Sequence, residues 1–131
     1  MQLVKALVSA REELASWRQH LHQNPEIAYE EKDTSDFVAA KLEDFGVEVH
    51  RGFGGTGLVG VIKGNLSDPA SGKAIGLRAD MDALPIVEEN DYPFKSKNKG
   101  VMHACGHDIH SACLLGAAKI LNELKDQFKG T

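Results

Sequence analysis

Apolar residues recur at steps of three and four over the first twenty-odd positions: Leu3, Leu7, Ala10, Leu14, Trp17 and Leu21. That spacing gathers them on one face of an amphipathic helix. Asn24-Pro25 stops it, because the residue before a proline is driven out of the helical region. A second helix is expected over roughly Glu31 to Phe45, with Val38, Leu42 and Phe45 on one face and Gly46 as its C-terminal stop. The period then changes. Val47-Glu48-Val49 alternates, and Gly57-Leu58-Val59-Gly60-Val61-Ile62 is a more fully apolar run, so both read as strands. Gly64 to Gly72, with Asn65, Ser67, Asp68, Pro69 and Ser71, reads as a turn or loop joining two strands, and Ala74-Ile75-Gly76-Leu77 as the next short strand. From Ala83 to Gly100 the chain is irregular, punctuated by Pro85 and Pro93. A last helix is expected from about His110 to Gln127, with Leu114, Ala117, Ala118, Leu121 and Leu124 as its apolar face. Its small residues Ala112, Gly116, Ala117 and Ala118 favour close packing against a sheet. Helix, helix, strands, loop, helix is the pattern of an α/β layered domain.

Composition narrows the function classes. At 131 residues, 42% hydrophobic and 26% charged, the chain suits one globular domain or part of one. A formal net charge of -4 gives no reason to expect nucleic acid or an anionic membrane as partner. No stretch approaches a membrane span. Lys5, Arg11, Glu12 and Glu13 interrupt any apolar run that could serve as a signal peptide. The two cysteines, Cys105 and Cys113, are separated by a turn and a predicted helix start, so a disulfide between them is not expected. Sparse, unpaired cysteine fits a reducing compartment, and cytoplasm is the expected location.

The chemistry concentrates in Met102-His-Ala-Cys-Gly-His-Asp-Ile-His-Ser111, which holds His103, Cys105, His107, Asp108 and His110. Thiolate, imidazole and carboxylate in alternation are the ligand set of a borderline transition metal. In an extended segment Cys105 and His107, two residues apart, project to the same side and bind one ion or a close pair. His107 then needs an acceptor to fix its tautomer, and Asp108 or Asp80 could serve. A zinc-like ion wants three or four protein ligands, so the remainder must come from elsewhere. A chance polar cluster at a helix start is the bland alternative, and the density of ligand types argues against it. A rival chemical reading makes Cys105 a nucleophile, but a histidine two residues away is poorly placed as its base.

Arg78-Ala-Asp80-Met-Asp82 lies just past the carboxyl end of a predicted strand, where open α/β sheets place their sites. Asp80 and Asp82 face the same side if strand geometry continues; an Asp-rich turn is the plain alternative. Arg78 could pair with either carboxylate or fix an anionic group. His20 and His22 read as a solvated helix end, and Glu12-Glu13, Glu30-Glu31 and Glu88-Glu89 as solvated faces.

Taken together, Trp17-Arg-Gln-His-Leu-His-Gln-Asn-Pro-Glu26, Arg78-Ala-Asp-Met-Asp-Ala-Leu-Pro85 and Met102-His-Ala-Cys-Gly-His-Asp-Ile-His110 resemble a known family. It is the amidohydrolase subfamily of dinuclear metallopeptidases, which includes hippurate hydrolase, N-acyl-amino-acid deacylases and plant auxin-conjugate hydrolases. The resemblance implies a layered helix-sheet-helix catalytic domain of zinc-peptidase type. Residues 1–131 would be its N-terminal portion, with the rest of the catalytic domain and the dimerisation or lid domain absent. Cys105 and His107 are implied ligands of a site for two divalent ions, manganese, zinc, nickel or cobalt. Asp80 matches the aspartate of the superfamily's His-x-Asp motif, with Arg78 where relatives carry a ligating histidine. Its implied catalytic role is orientation or electrostatic support.

The implied reaction is hydrolysis of the amide bond of an N-acyl amino acid by metal-activated water. The glutamate that acts as general base lies beyond Thr131 in the family. Residues 1–131 alone are therefore expected to be inactive, to bind metal weakly, and to associate through an exposed apolar edge. The full-length protein is expected to be a dimer or tetramer acting on a small-molecule substrate. Substrate-binding residues are not assigned. Two alternatives stand beside this reading: a dipeptidase or carboxypeptidase of the same superfamily, against which Arg78 and the Cys105 motif count, and a non-catalytic metal-binding or interaction module.

Overall fold

Periodicity at the N-terminus gives two helices rather than one. In the structure, a computed structural model that describes residues 2–66 and 72–131, α1 (Gln2–Ser9) and α2 (Arg11–Gln23) are separated at Ala10. No proline or glycine lies at that break, and nothing in the structure explains it. The expected face divides accordingly. Trp17 and Leu21 on α2 are buried, whereas Leu7 and Val8 on α1 are exposed. The side chain of Leu3 and residues 67–71 of the expected 64–72 turn lie outside the described residues.

Asn24-Pro25 ends α2 where expected, with the Asn24 side-chain amide donating to the His20 carbonyl at 2.7 Å. Helix α3 (Lys32–Asp44) then starts under a cap from six residues upstream. The Glu26 carboxylate accepts from the backbone N–H groups of Lys32, Asp33 and Thr34 and from the Thr34 hydroxyl at 2.6–3.2 Å. Those donors have no partner inside the helix, and a carboxylate also suits the positive end of its dipole. At the other end Gly46 N–H bonds to the Glu43 carbonyl and Val47 N–H to the Leu42 carbonyl, the paired bonds of a Schellman stop.

Strands β1 (Glu48–Phe53) and β2 (Gly57–Val61) form an antiparallel hairpin, in register from Glu48↔Val61 to Phe53↔Gly57 with an irregularity between Arg51 and Phe53. Trp17, Val38, Leu42, Val47 and Leu115 make the core beneath it. The expected strand at Ala74–Leu77 does not form. Ile75 is 81% and Leu77 58% exposed, and the segment's pairing is limited to bonds between Thr131 and the backbone of Ile75 and Lys73. A strand is made by its neighbours, and no ladder partner runs beside this one among the described residues.

Helix α4 (His107–Glu123) begins three residues earlier than expected and ends earlier, followed by a short 3-10 turn at Lys125–Gln127. Its buried face is also a different one: Asp108, Ser111, Ala112, Leu115, Gly116 and Ile120. One of the small residues, Gly116, serves a helix contact instead. A Cβ there would lie 2.6 Å from Leu14 Cδ2, so a larger residue would require the Leu14 side chain to move. The expected face, represented by Leu114, Ala118 and Leu121, instead lines an apolar groove of about 800 Å³ shared with Leu58, Ile75 and Leu77. The observed class is α/β, with helices packed on one another and a two-stranded sheet.

Candidate metal centre

Two segments distant in sequence are tied together at Leu84 and Met102, whose backbones exchange N–H···O bonds at 3.0 Å in both directions. That pairing closes the irregular stretch 83–100 into a loop. It also brings the extended run through Asp80 and Asp82 against the start of α4. His107, the first residue of α4, occupies the junction. Its Nδ1–H donates to the Asp82 carbonyl at 2.8 Å and lies 3.0 Å from Asp82 Oδ1. With Nδ1 occupied as a donor, Nε2 presents its lone pair outward, the tautomer a metal-binding imidazole needs. Asp82 therefore fills the orienting role expected of Asp108 or Asp80.

Asp80 Oδ2 lies 4.0 Å from His107 Nε2. Both carboxylates thus reach the same imidazole, as alternation along an extended segment requires. Arg78 donates Nε–H and Nη2–H to Asp80 Oδ1 at 2.9 and 2.7 Å, and this contact holds the Asp80 carboxyl below its usual range. The third member of the group is His110, one turn after His107 and on the same face of α4, with ring centroids 5.4 Å apart. Donor atoms of Asp80, His107 and His110 all lie within 4.8 Å of one another. Two imidazoles and an ionised carboxylate are a donor set that fits a borderline divalent cation.

Cys105 is not in that group. Residues 104–106 form a turn, with Gly106 N–H reaching back to the His103 carbonyl. Gly106 then enters α4 at φ +84°, in the left-handed region that glycine tolerates without strain. The extended geometry that would align Cys105 with His107 is therefore not the local geometry, because the helix starts at 107. Cys105 is exposed, and both cysteines are free.

Behind the donors lies a buried polar cluster that local sequence patterns barely signal. Asp108, 1% exposed, turns inward; its Oδ2 accepts from Arg18 Nε–H at 2.7 Å and lies 2.8 Å from His22 Nδ1. His22 is buried, not solvated as expected, and its Nε2 lies 2.9 Å from Glu88 Oε1. Glu88 is buried as well, contrary to its reading as part of a solvated face. Burial pushes its carboxyl up, but hydrogen bonds from His22, the Ser96 N–H and the Asn90 amide outweigh this and hold it below the usual value. Glu31 is likewise buried, accepting from the Thr56 hydroxyl at 2.7 Å. His103 is buried with neither ring nitrogen hydrogen-bonded to protein, and Asp108 Oδ1 is also without such a partner. Burial pushes His103 below its ordinary pKa against the raising effect of the nearby Asp108 charge. The one signal for this cluster is the four-residue spacing of Arg18 and His22, which sets both beside the Leu14–Trp17–Leu21 face.

Residues 76–131 match the Peptidase family M20/M25/M40. The chain is 49% identical, over 92% of its length, to hippurate hydrolase of Campylobacter jejuni, and it covers 30% of that protein. It is 44% identical, over 97% of its length, to N-acyl-L-amino acid amidohydrolase of Geobacillus stearothermophilus, covering 34% of it. It is also 49% identical, over 99% of its length, to thermostable carboxypeptidase 2 of Saccharolobus solfataricus, covering 33% of it. The chain thus spans about a third of the length of these curated relatives. Among solved structures it superposes with a TM-score of 0.85 at 38% identity on a dinuclear metal-binding peptidase of the M20 family from Bacillus subtilis, covering 93% of this chain and 33% of that one.

Proposed function

We propose that this chain is the N-terminal portion of a metal-dependent amidohydrolase that cleaves the amide bond of N-acyl amino acids, a reading supported by the match of residues 76–131 to peptidase family M20/M25/M40 and by the superposition on an M20 dinuclear metal-binding peptidase. The observation that carries the reading is the convergence of Asp80, His107 and His110, with His107 held by Asp82 in its metal-binding tautomer. On this reading Cys105 and His107 are ligands, as the motif resemblance implies, although Cys105 stands outside the group formed by Asp80, His107 and His110. His110 supplies a further donor beside His107, and Asp80 supports both imidazoles with its charge.

Each group has a task. Asp82 fixes the His107 ring, and Arg78 keeps Asp80 ionised beside it. Asp80 adds negative charge that favours a cation at the donors and orients what binds there. Bound divalent ions supply an acidified water and a polarised amide carbonyl. The remaining parts of the reading are two ions per site, a small-molecule substrate, a cytoplasmic location and a homo-oligomeric full-length protein. Among the described residues no helix is long and apolar enough to cross a membrane.

A second reading, a carboxypeptidase of the same family, is favoured by the identity to the Saccharolobus carboxypeptidase. One experiment separates the two. The full-length protein, stripped with a chelator and reloaded with Mn²⁺, Zn²⁺, Ni²⁺ or Co²⁺, is assayed on N-benzoyl and N-acetyl amino acids and on unblocked dipeptides. Metal-dependent release of amino acid from the N-acyl substrates is expected. Preference for unblocked peptides moves the assignment to the carboxypeptidase, and hydrolysis indifferent to the chelator sinks the metal reading. Residues 1–131 alone are expected to give no turnover.

A further inference from the structure

We infer that His22 is a positioning residue for the metal centre, acting through Asp108 on the first turn of α4; the inference rests on the metal reading above. Asp108 follows His107 directly, and successive side chains on an α-helix point about 100° apart. The direction of one therefore sets the direction of the other. Asp108 is drawn inward by Arg18 Nε–H and by the His22 ring, whose Nδ1 lies 2.8 Å from the same carboxylate oxygen. His107 is thereby turned toward Asp80 and Asp82, and His110, three residues on, follows it.

What gives the contact its directional force is that the His22 ring is held at both ends. Its other nitrogen lies 2.9 Å from Glu88 Oε1, and the second Glu88 oxygen accepts the Ser96 N–H at 2.6 Å. The ring cannot rotate without leaving a buried carboxylate unpaired, a costly state. The same buried face of α4 reaches the other half of the centre one turn later, where the Ser111 hydroxyl donates to the Asp80 carbonyl at 3.1 Å. Helix α2 thus controls the orientation of the donors without supplying one.

Holding α2 to α4 does not require these charges. Trp17, Leu115 and the close approach of Leu14 to Gly116 already join the two helices. Apolar contacts of that kind are often as stabilising as a buried ion pair of similar volume. Their lack is angular preference, which hydrogen bonds to two fixed carboxylates provide.

The test uses the full-length protein reconstituted with Co²⁺, read by its dissociation constant and visible absorption band, with circular dichroism at the same temperature. His22→Gln, when folded, is expected to bind Co²⁺ about 10- to 100-fold more weakly, with a changed band. Glu88→Gln conserves shape and keeps one acceptor for the ring, and a severalfold weakening is expected. A folded His22→Gln with wild-type affinity and band overturns the inference, however far its melting temperature has dropped. If His22→Gln does not fold, Glu88→Gln decides in the same way. Wild-type protein that takes up no Co²⁺ overturns the metal reading instead, a result distinguishable from failure of His22 alone.

Discussion

Helix α4 has two sides that follow opposite rules. Toward α2 it buries a carboxylate, a hydroxyl and small apolar residues, and Asp108 and Ser111 there meet partners from distant parts of the chain. Toward the hairpin it offers Leu114 and Leu121 to a groove that stays open, next to an exposed Ile75 and Leu77. The first side is polar, closed and directional. The second is apolar, open and without a partner among the described residues. The donors of the metal centre sit at the end of the closed side, where orientation is over-determined. Apolar burial alone would stabilise α4 yet leave its rotation free to slip.

The largest expected effect tests the closed side. Asp108→Ala leaves His22 and Arg18 facing a void, and truncating one member of a buried charge cluster costs about 3–5 kcal/mol. Chemical denaturation of the variant against wild type measures it; a loss under 1 kcal/mol would mean the cluster is better hydrated than its burial indicates. Next comes the helix contact. Gly116→Val places atoms where Leu14 already stands, and overpacking of this kind costs about 1–3 kcal/mol. Leu14→Ala in the same chain should recover part of that loss, because it clears the space.

This contrast also explains what could be foreseen. Helices α2 and α3 follow from apolar spacing, from Asn24-Pro25 and from Gly46, all of which act within a few residues. The two strands follow from the alternation at Val47–Val49 and the apolar run Gly57–Ile62, but the extension of β1 to Phe53 and the pairing of the two into a hairpin do not. His107 and Asp80 were identifiable as chemistry because ligand-type residues crowd around each. By contrast, the bonds from His22 to Asp108 and Glu88 span 86 and 66 residues, and no local pattern encodes such a pairing. The buried face of α4 differs from the expected one because the helix carries two apolar stripes. Periodicity cannot say which one a neighbouring helix will claim. Ala74–Leu77 has strand composition, but pairing depends on a neighbour that composition does not specify.

A smaller effect appears in acid. The native Glu88 carboxyl is held below its ordinary value near 4.5. The folded state therefore binds that proton less readily than the unfolded chain does. The resulting stability is complete above the ordinary value and is lost as pH falls through the native one. Denaturation midpoints measured from pH 6 downward should fall more steeply for wild type than for Glu88→Gln. Parallel slopes would show that Glu88 has no special standing among the carboxylates.

The smallest effect on stability belongs to the open side, and it discriminates most cleanly between the two faces. Leu77 is 58% exposed, and Leu77→Lys removes no buried contact of consequence. Substitutions at such positions usually change stability by within about 0.5 kcal/mol. Association should respond instead. An exposed apolar segment outside any ladder is a template for another chain, and a lysine on it is a common device against edge-to-edge pairing. Sedimentation of residues 1–131 at rising concentration should therefore show less self-association for Leu77→Lys than for wild type, at nearly equal melting temperature. A large drop in melting temperature would place Leu77 in the core and remove the distinction between the sides. Unchanged association at unchanged stability would move the contact between copies away from this groove, leaving the exposed end of α1 at Leu7 and Val8 as the next surface to vary.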